Sequence, residues 1–335
     1  MPDAPRSPAV VVVTWRGGDW LARCVQALKP QLSHPDQLCI VAARPDPLEI
    51  PEGVTTLRSP EPVGYAAAAN LGFTHYAGQD VILLNDDTRP APSFVAALAQ
   101  AAHSFGPGIY QPRIVLAGSA PQHIDNTGHR LFFDGFNVAR ERGLPAVASQ
   151  APACGEVGAF SGAAALLTRD VLAATGGFDG SFGAFGEDLD LSLRARRLGF
   201  RIRFVDEAQI EHALGHSYGR GDRRKVFLVE RNRVQAAVRS LPWSMVLTMP
   251  LWTTLRIGAL TAASTAGRGI GAAAAPGASI AVLAGGVAGV LRLPRALRKR
   301  RGDQQMWTTS DRELWAHVLR HHARPSDLLR RPAPQ

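Results

Sequence analysis

An apolar run that breaks into carboxylates, Val81-Ile82-Leu83-Leu84-Asn85-Asp86-Asp87-Thr88, is answered further along the chain by a second acidic cluster, Gly186-Glu187-Asp188-Leu189-Asp190. A strand apolar at every position is buried on both faces, as in a parallel sheet, and ligands of such sheets collect at the carboxyl ends of the strands. Asn85 to Thr88 lie at such an end. Adjacent carboxylates there repel one another unless a cation or cationic substrate sits between them, so a hard divalent metal accounts economically for the first cluster. The second cluster then reads as the base. The competing reading is that Asp86, Asp87 and Thr88 only cap a helix beginning near Pro90 to Pro92, since Asp and Thr before a Pro-led helix are ordinary start signals.

Glu187, Asp188 and Asp190 open a segment in which Leu189, Leu193, Ala195 and Leu198 recur at helical spacing. Arg194, Arg196 and Arg197 stand near its end and Gly199 is its stop. Helix geometry puts the carboxylates at the positive end of the dipole, which favours their ionised form and suits a base at neutral pH. A third feature is Ser161-Gly162-Ala163, in a strand predicted over 160–167. Its small side chains permit either close approach of a ligand to the backbone or close packing of strand on helix.

The elements that must position these residues alternate. A strand from Val10 to Trp15 leads through Gly17-Gly18 to a helix capped by Asp19, with Leu21, Val25 and Leu28 on one face and Pro30 as its stop. Strands follow at Leu38 to Ala42 and Val54 to Leu57, then a helix from Gly64 to Tyr76 and the strand at Val81. The first ninety residues therefore alternate β and α as a nucleotide-binding half-fold does. After a helix over 92–104 the pattern loosens into loops and short strands from Gly106 to Pro152, expected to form the acceptor side. Beyond the acidic helix, Phe200, Ile202 and Phe204 alternate with Arg201 and Arg203, a strand with one wet face that leads to Glu211-His212.

At 335 residues with 46 % hydrophobic residues the chain can build a real core. Its net charge of +9 is unevenly divided. Residues 1–215 carry 17 Lys plus Arg against 22 Asp plus Glu, and residues 216–335 carry 20 against 6, so the basicity belongs to the C-terminal third. That third has no zinc-finger spacing, RNA-binding aromatic signature or helix-turn-helix pattern, which argues against nucleic acid. A membrane surface fits better. Residues 243–267 carry only Arg256, residues 269–291 carry no charge, and Arg292, Arg295, Arg298, Lys299, Arg300 and Arg301 follow at once, a pattern that attracts anionic headgroups. Pro276 and the many Ala and Gly residues weaken residues 269–291 as a span, so helices lying in or dipping into the interface are expected over a full crossing. The run from Ala9 to Trp15 is too short for a signal peptide, and a cytosolic location is expected. Cys24, Cys39 and Cys154 form no CxxC pair, so no disulfide framework or structural zinc is indicated. His317 and His321 read as one face of an amphipathic helix, and Gly267, Gly269 and Gly271 follow no strand.

Taken in order, a set of motifs resembles the inverting family 2 glycosyltransferases of GT-A fold, particularly bacterial rhamnosyltransferase-like members that build polyprenyl-linked cell-envelope glycans. They are Val11-Val12-Val13-Thr14, Gly64-Tyr65 through Asn70-Leu71-Gly72, Leu83 to Thr88, Ser161-Gly162-Ala163, Gly176-Gly177-Phe178-Asp179, Glu187 to Leu191, His212 and Glu230-Arg231-Asn232-Arg233. The resemblance implies an α/β fold with a Rossmann-like, mostly parallel sheet flanked by helices. It implies an Asn85 to Asp87 metal motif in which Asp87 binds Mg or Mn bridging the donor diphosphate, with His212 as a further metal ligand and Asp188 as catalytic base. Thr14 and Asp86 would line the donor pocket and Asn70 would support the donor or the metal loop. Ser161, Gly162, Glu187 and Asp190 would serve the acceptor or support the base. One departure stands out: the family's Asp-Asn-Gly-Ser type turn after the second strand is replaced by Val41-Ala42-Ala43-Arg44-Pro45-Asp46. Asp46 from a shifted loop, or Trp15 by stacking, is left to read the base.

The expected organisation is a glycosyltransferase domain over 1–240, with a nucleotide-sugar half over 1–90 and an acceptor half over 91–240, followed by a helical membrane-associating region over 241–335. The expected activity is metal-dependent, inverting transfer of a sugar, of the hexosyltransferase class, from a nucleotide-sugar donor to a lipid-linked or polysaccharide acceptor at the cytoplasmic face of the membrane. Rhamnose from dTDP-rhamnose is the first choice by resemblance. Two rivals are a glycosidase carboxylate pair and a membrane-associated pseudoenzyme or scaffold that lost donor recognition at Ala42-Ala43.

Overall fold

The computed structural model describes residues 7–213, 222–263, 278–324 and 327. Strand β1 (Ala9–Thr14), helix α1 (Asp19–Leu28), β2 (Leu38–Ala42), β3 (Thr55–Arg58), α2 (Tyr65–His75) and β4 (Val81–Asn85) form the alternating first half. There follow β5 (Thr88–Pro90), α3 (Phe94–Phe105), β6 (Gly108–Leu116), β7 (Ile124–Asn126), the β8 (His129–Leu131) and β9 (Asn137–Ala139) hairpin, and β10 (Cys154–Glu156). Then come β11 (Ala164–Leu167), α4 (Arg169–Thr175), α5 (Glu187–Arg197) and β12 (Arg201–His212). Five helices close the chain: α6 (Arg223–Ser240), α7 (Trp243–Ala263), α8 (Ala278–Leu291), α9 (Leu293–Gln304) and α10 (Asp311–Arg320).

The main sheet runs β10-β12-β6-β11-β4-β1-β2-β3, with β5 on β12 and β7 on β6. Pairs β1–β2, β1–β4, β2–β3 and β6–β12 are parallel, while β11 runs against both β4 and β6. The period of two along a strand divides the core. Val11 and Val13 face α2, α4 and α5, and Val10 and Val12 face α1 and α3. Gly72 sets the α2 packing distance, because a Cβ there would meet Val11 Cγ1 at 2.4 Å. Cys24 and Cys39 are buried, and burial pushes their thiols up to about 12 and about 11.

Several expectations are corrected. Residues 88–90 are strand β5, and helix α3 begins only after Ser93, so Asp86 to Thr88 cap no helix. The strand expected over 160–167 starts at Ala164, leaving 161–163 as a turn. The looser stretch contains the nine-residue β6, disguised by Gln111, Pro112 and Arg113. Pro112 sits where the β6–β12 register shifts, a place where a missing N–H is tolerated.

The boundary expected at residue 240 is no break in packing. Leu314 and Val318 of α10 share a core with Leu189 and Leu193 of α5 and Ala236 of α6. Arg197, fully buried, donates to Ser240 O and Asp311 and lies 4.0 Å from the Trp307 ring centre. Gly285 and Gly289 seat α8 on α6, where a Cβ would come within 2.5 Å of Phe227 O and 2.7 Å of Val234 Cβ. Arg256, the lone charge of the apolar run, is buried against Asp134 and Glu230. The six-cation cluster is also partly internal: Arg300 donates to Val238 O and Leu241 O, and Lys299 bonds Asp179. Arg295, Arg298 and Arg301 remain exposed. Among the described residues no single helix is long and apolar enough to cross a membrane, although α8 and α9 pass as a pair bent by 55°. Gly267, Gly269, Gly271 and Pro276 lie outside the described residues.

Candidate active site

Parallel pairing brings the ends of β1, β2 and β4 to one edge, with Val13 beside Asn85 and Thr14 beside Ala42. Because β11 is antiparallel, it begins where β4 ends, and Asn85 N donates to Ala163 O at 3.0 Å. The Ser161-Gly162 turn is thereby fastened beside the acidic end of β4. Gly162 N in turn donates to Asp188 Oδ2 at 3.0 Å, and Leu189 N to Asp188 Oδ1 at 2.8 Å. Two carboxylate clusters distant in sequence thus meet at a single edge.

Asp86 is fixed by the Thr14 hydroxyl, which donates to its Oδ2. Asp87 is buried, and its Oδ1 faces His212 Nε2 across 3.3 Å without hydrogen-bond alignment. His212, the last residue of β12, pairs with Thr88 of β5 in the sheet, so the register delivers its ring to Asp87. Its Nδ1 lies 2.9 Å from Asp125 Oδ2, and Arg142 holds the other Asp125 oxygen at 3.1 Å. Burial opposes charge on His212, but the hydrogen bond to Asp125 and the charges of Asp87 and Asp125 outweigh it and raise the imidazole to about 10. Burial likewise opposes ionisation of Asp125, yet Arg142 and His212 hold it at about 2. Asn85 Oδ1 and Asp87 Oδ1 are buried oxygens that accept no hydrogen bond. This donor set of carboxylate and amide oxygens beside an imidazole fits a divalent cation.

The second cluster divides its labour. Glu187 is buried, and burial followed by the charge of Asp188 raises its carboxyl well above the usual range. The helix dipole, expected to ionise the whole cluster, loses to desolvation there. Asp188 is only half-buried and accepts two backbone N–H groups, so it is the carboxylate presented to solvent. Asp190 is fully buried and ion-paired with Arg194 at 2.8 Å and Arg239 at 3.2 Å, so its place is structural and not at the acceptor face.

The donor-side residues are partly reassigned. Asn70 spends both amide atoms on Phe178, donating to its O at 2.8 Å and accepting from its N at 2.9 Å. It pins the Gly176 to Asp179 segment and is not a donor-binding group. Asp46 pairs at the surface with Arg44, whose guanidinium lies 5.9 Å from the Trp15 ring centre. Trp15, 40 % exposed, is the aromatic surface at the end of β1. Ser161 N donates to Gln111 Oε1 at 2.6 Å. Asn232 donates to the carbonyls of Phe182, Ala184 and Phe185 and so shapes the turn that launches α5.

Three residues escaped the sequence reading. Asp125 orients His212 from β7. The Tyr65 hydroxyl donates to Gly162 O at 2.6 Å, and burial, with the charges of Asp188, Asp87 and Asp86 adding to it, keeps it protonated. His129 is held neutral chiefly by burial, with the charge of Asp188 opposing, and its Nδ1 lies 3.0 Å from Phe160 O. Tyr65 stood within a quoted motif; Asp125 and His129 carried no spacing signal.

Residues 81–266, spanning β4, the second cluster and α6, match the family model described as glycosyl transferase family group 2. The chain belongs to that family. Among its relatives are uncharacterized proteins of Mycobacterium tuberculosis (Rv1525) and Mycobacterium bovis (Mb1552), each 31 % identical over 160 residues, covering 45 % of this chain and 54 % of theirs. The chain thus spans about half the length of the curated relatives it matches. The solved structure of GalNAc-T7 with UDP, GalNAc and Mn2+ superposes with a TM-score of 0.53 at 15 % identity, covering 69 % of this chain and 47 % of that one. At that identity the likeness carries the fold: a mostly parallel sheet flanked by helices, as in GT-A glycosyltransferases. Of the motifs of this family 2 member, Asn85 to Thr88, Ser161 to Ala163 and Asp188 meet at the sheet edge described above.

Proposed function

We propose that this chain is a metal-dependent inverting glycosyltransferase that moves a sugar from a nucleoside diphosphate donor to a polyprenyl-linked or other cell-envelope glycan at the cytoplasmic face of the membrane. Rhamnose from dTDP-rhamnose is the first donor to test. The observation that carries the reading is the meeting of Asp86, Asp87 and His212 with Asp188 at one sheet edge, through the Gly162 turn. The UDP and Mn2+ of GalNAc-T7, which shares the fold, support a nucleotide donor and a divalent cation; Mg2+ and Mn2+ both suit the ligands here.

Asp87 and His212 would hold the cation, whose charge would neutralise the departing diphosphate. Trp15 and Arg44 offer stacking planes to the nucleobase, and Thr14 keeps Asp86 in place. Asp188 takes the proton from the acceptor hydroxyl as its oxygen attacks the anomeric carbon, opposite the breaking bond to the diphosphate. That single displacement inverts the configuration. Burial disfavours the charged forms of Glu187 and Tyr65, which leaves Asp188 as the group to accept the proton. A panel of nucleotide sugars with a lipid-linked acceptor, read by release of the matching diphosphate, tests the donor. Hydrolysis of a glycan without nucleotide release would overturn the reading in favour of a glycosidase.

Asp125 acts through His212. Asp125→Asn is expected to raise the metal concentration for half-maximal activity about 10–100-fold while leaving turnover at saturating metal largely restored, the usual consequence of losing a carboxylate behind a ligating imidazole. Equal loss at all metal concentrations would make Asp125 merely structural.

Membrane attachment rests on the C-terminal helices. Leu247, Leu251 and Leu255 form an exposed stripe on α7, and Ile280, Leu283, Val287 and Val290 are exposed on α8. Arg295, Arg298 and Arg301 are exposed on α9. Each such cation adds on the order of 1 kcal/mol near an anionic surface, screened by salt, while apolar insertion is salt-resistant. Replacing these three arginines with Gln should therefore weaken binding to anionic vesicles and flatten its salt dependence. Changing Leu247, Leu251 and Leu255 to Ser should remove the salt-resistant part. Unchanged sedimentation in both variants would move attachment elsewhere.

A further inference from the structure

At the β10 edge, four strands from β4 in the sheet order, the fold assembles another set of donors. Glu156 ends β10, while His317 and His321 stand one turn apart on α10 and its cap, a spacing that puts both rings on one helix face. One ligand atom from each of the three lies within 4.8 Å of the others. The histidines are not satisfied by the protein. His317, 3 % exposed, places Nε2 3.1 Å from Gly158 O, which makes that nitrogen the donor and leaves Nδ1 a lone pair with nothing to accept. His321 Nε2 is likewise buried without a partner.

Unmet lone pairs in a protein interior are costly, and two converging on a carboxylate form the donor set of a borderline divalent cation. We propose that Glu156, His317 and His321 bind a transition-metal ion of the Zn2+ class, which staples α10 to the edge of the catalytic sheet. Burial holds both imidazoles neutral, His317 at about 3 and His321 at about 4, and the neutral ring is the ligating form. The carbonyl of Gly158 fixes the His317 tautomer from behind, as metal-bound histidines require. Arg201 bonds one Glu156 oxygen and Arg320 stands 3.8 Å from the other. Both arginines are largely exposed, at 61 % and 68 %, and can turn to water to free the carboxylate. Arg196 and Arg140 also face the cluster, so the site is more electropositive than a closed structural zinc site. Glu156 and His321 are only partly buried, which leaves a path from solvent and room for water to complete the coordination.

The test uses the full chain carrying Asp87→Ala, so that bound metal reports this cluster and not the sheet-edge site. Zn2+ is titrated by competition with a chromophoric chelator, Co2+ is added to read nitrogen and oxygen ligation from its visible spectrum, and Tm is followed with and without Zn2+. One Zn2+ per chain with a rise in Tm is expected. His321→Ala and Glu156→Gln should each weaken that binding by roughly tenfold or more and abolish the Tm rise. Glu156→Gln keeps the side-chain shape, so it decides the matter if His321→Ala fails to fold. Zn2+ binding that both substitutions leave unchanged, or the absence of stoichiometric binding, overturns the proposal.

Discussion

Asp188→Asn is expected to lower turnover by about 10²–10⁴, the range for a lost general base, while nucleotide and metal affinity stay near those of the native chain. Both oxygens of Asp188 accept backbone N–H groups, from Gly162 and Leu189. An amide can satisfy only one of them, so Tm should be recorded alongside turnover to separate a lost base from a loosened turn. The companion variant is Glu187→Gln. Because burial and the charge of Asp188 push the Glu187 carboxyl well above the usual range, an amide there resembles its favoured neutral form, and turnover should change only a few-fold. The reverse pattern, a crippled Glu187→Gln beside a near-normal Asp188→Asn, would transfer the base to Glu187. Asp190 is no candidate, since Arg194 and Arg239 occupy it in the interior.

Removal of the divalent cation should abolish transfer, and Mg2+ or Mn2+ should restore it. Asp87→Ala should resist rescue at ordinary metal concentrations, with a loss of about 10²–10³ or more in turnover, the scale on which a single electrostatic contact to the departing charge counts. Mn2+ binding measured by the loss of its free magnetic-resonance signal gives a readout independent of activity. The competing account is concrete: without a metal, Asp87, His212 and Asp125 form a self-sufficient ion triad with the imidazole protonated. Full activity in chelator, with no Mn2+ bound, would leave that triad as a structural brace and sink the metal reading.

The local half of this architecture was legible because its signals are local. Unbroken apolar strands at Val10 and Val81 announce a sheet buried on both faces, and the acidic residues after Leu84 and Gly186 mark a strand end and a helix start. From these the sheet class, the sheet edge and the pairing of two carboxylate clusters could be read in the chain alone. The β6 strand could not, because its polar and proline residues are tolerated only through a register shift supplied by β12.

Tertiary structure decided which of several similar residues is free to act. Glu187, Asp188 and Asp190 are indistinguishable as a string; burial, backbone donors and two arginines, one on the same helix and one on α6, make one a buried carboxyl disfavoured as an anion, one a half-buried carboxylate and one a structural anion. Asn70 sat in a motif read as donor-binding, yet its amide is consumed by Phe178, far along the chain. The basic third read as a separate membrane-associating region because charge counts carry no information about partners. In the fold Arg233, Arg256 and Arg300 are buried, and α10 completes a core that α5 begins. Asp125 and Arg142, separated in sequence from His212, meet it only because β7 and β12 flank β6. The chain's own pattern thus determined where chemistry could occur, and long-range packing, which sets desolvation and supplies counter-charges, decided which groups can perform it.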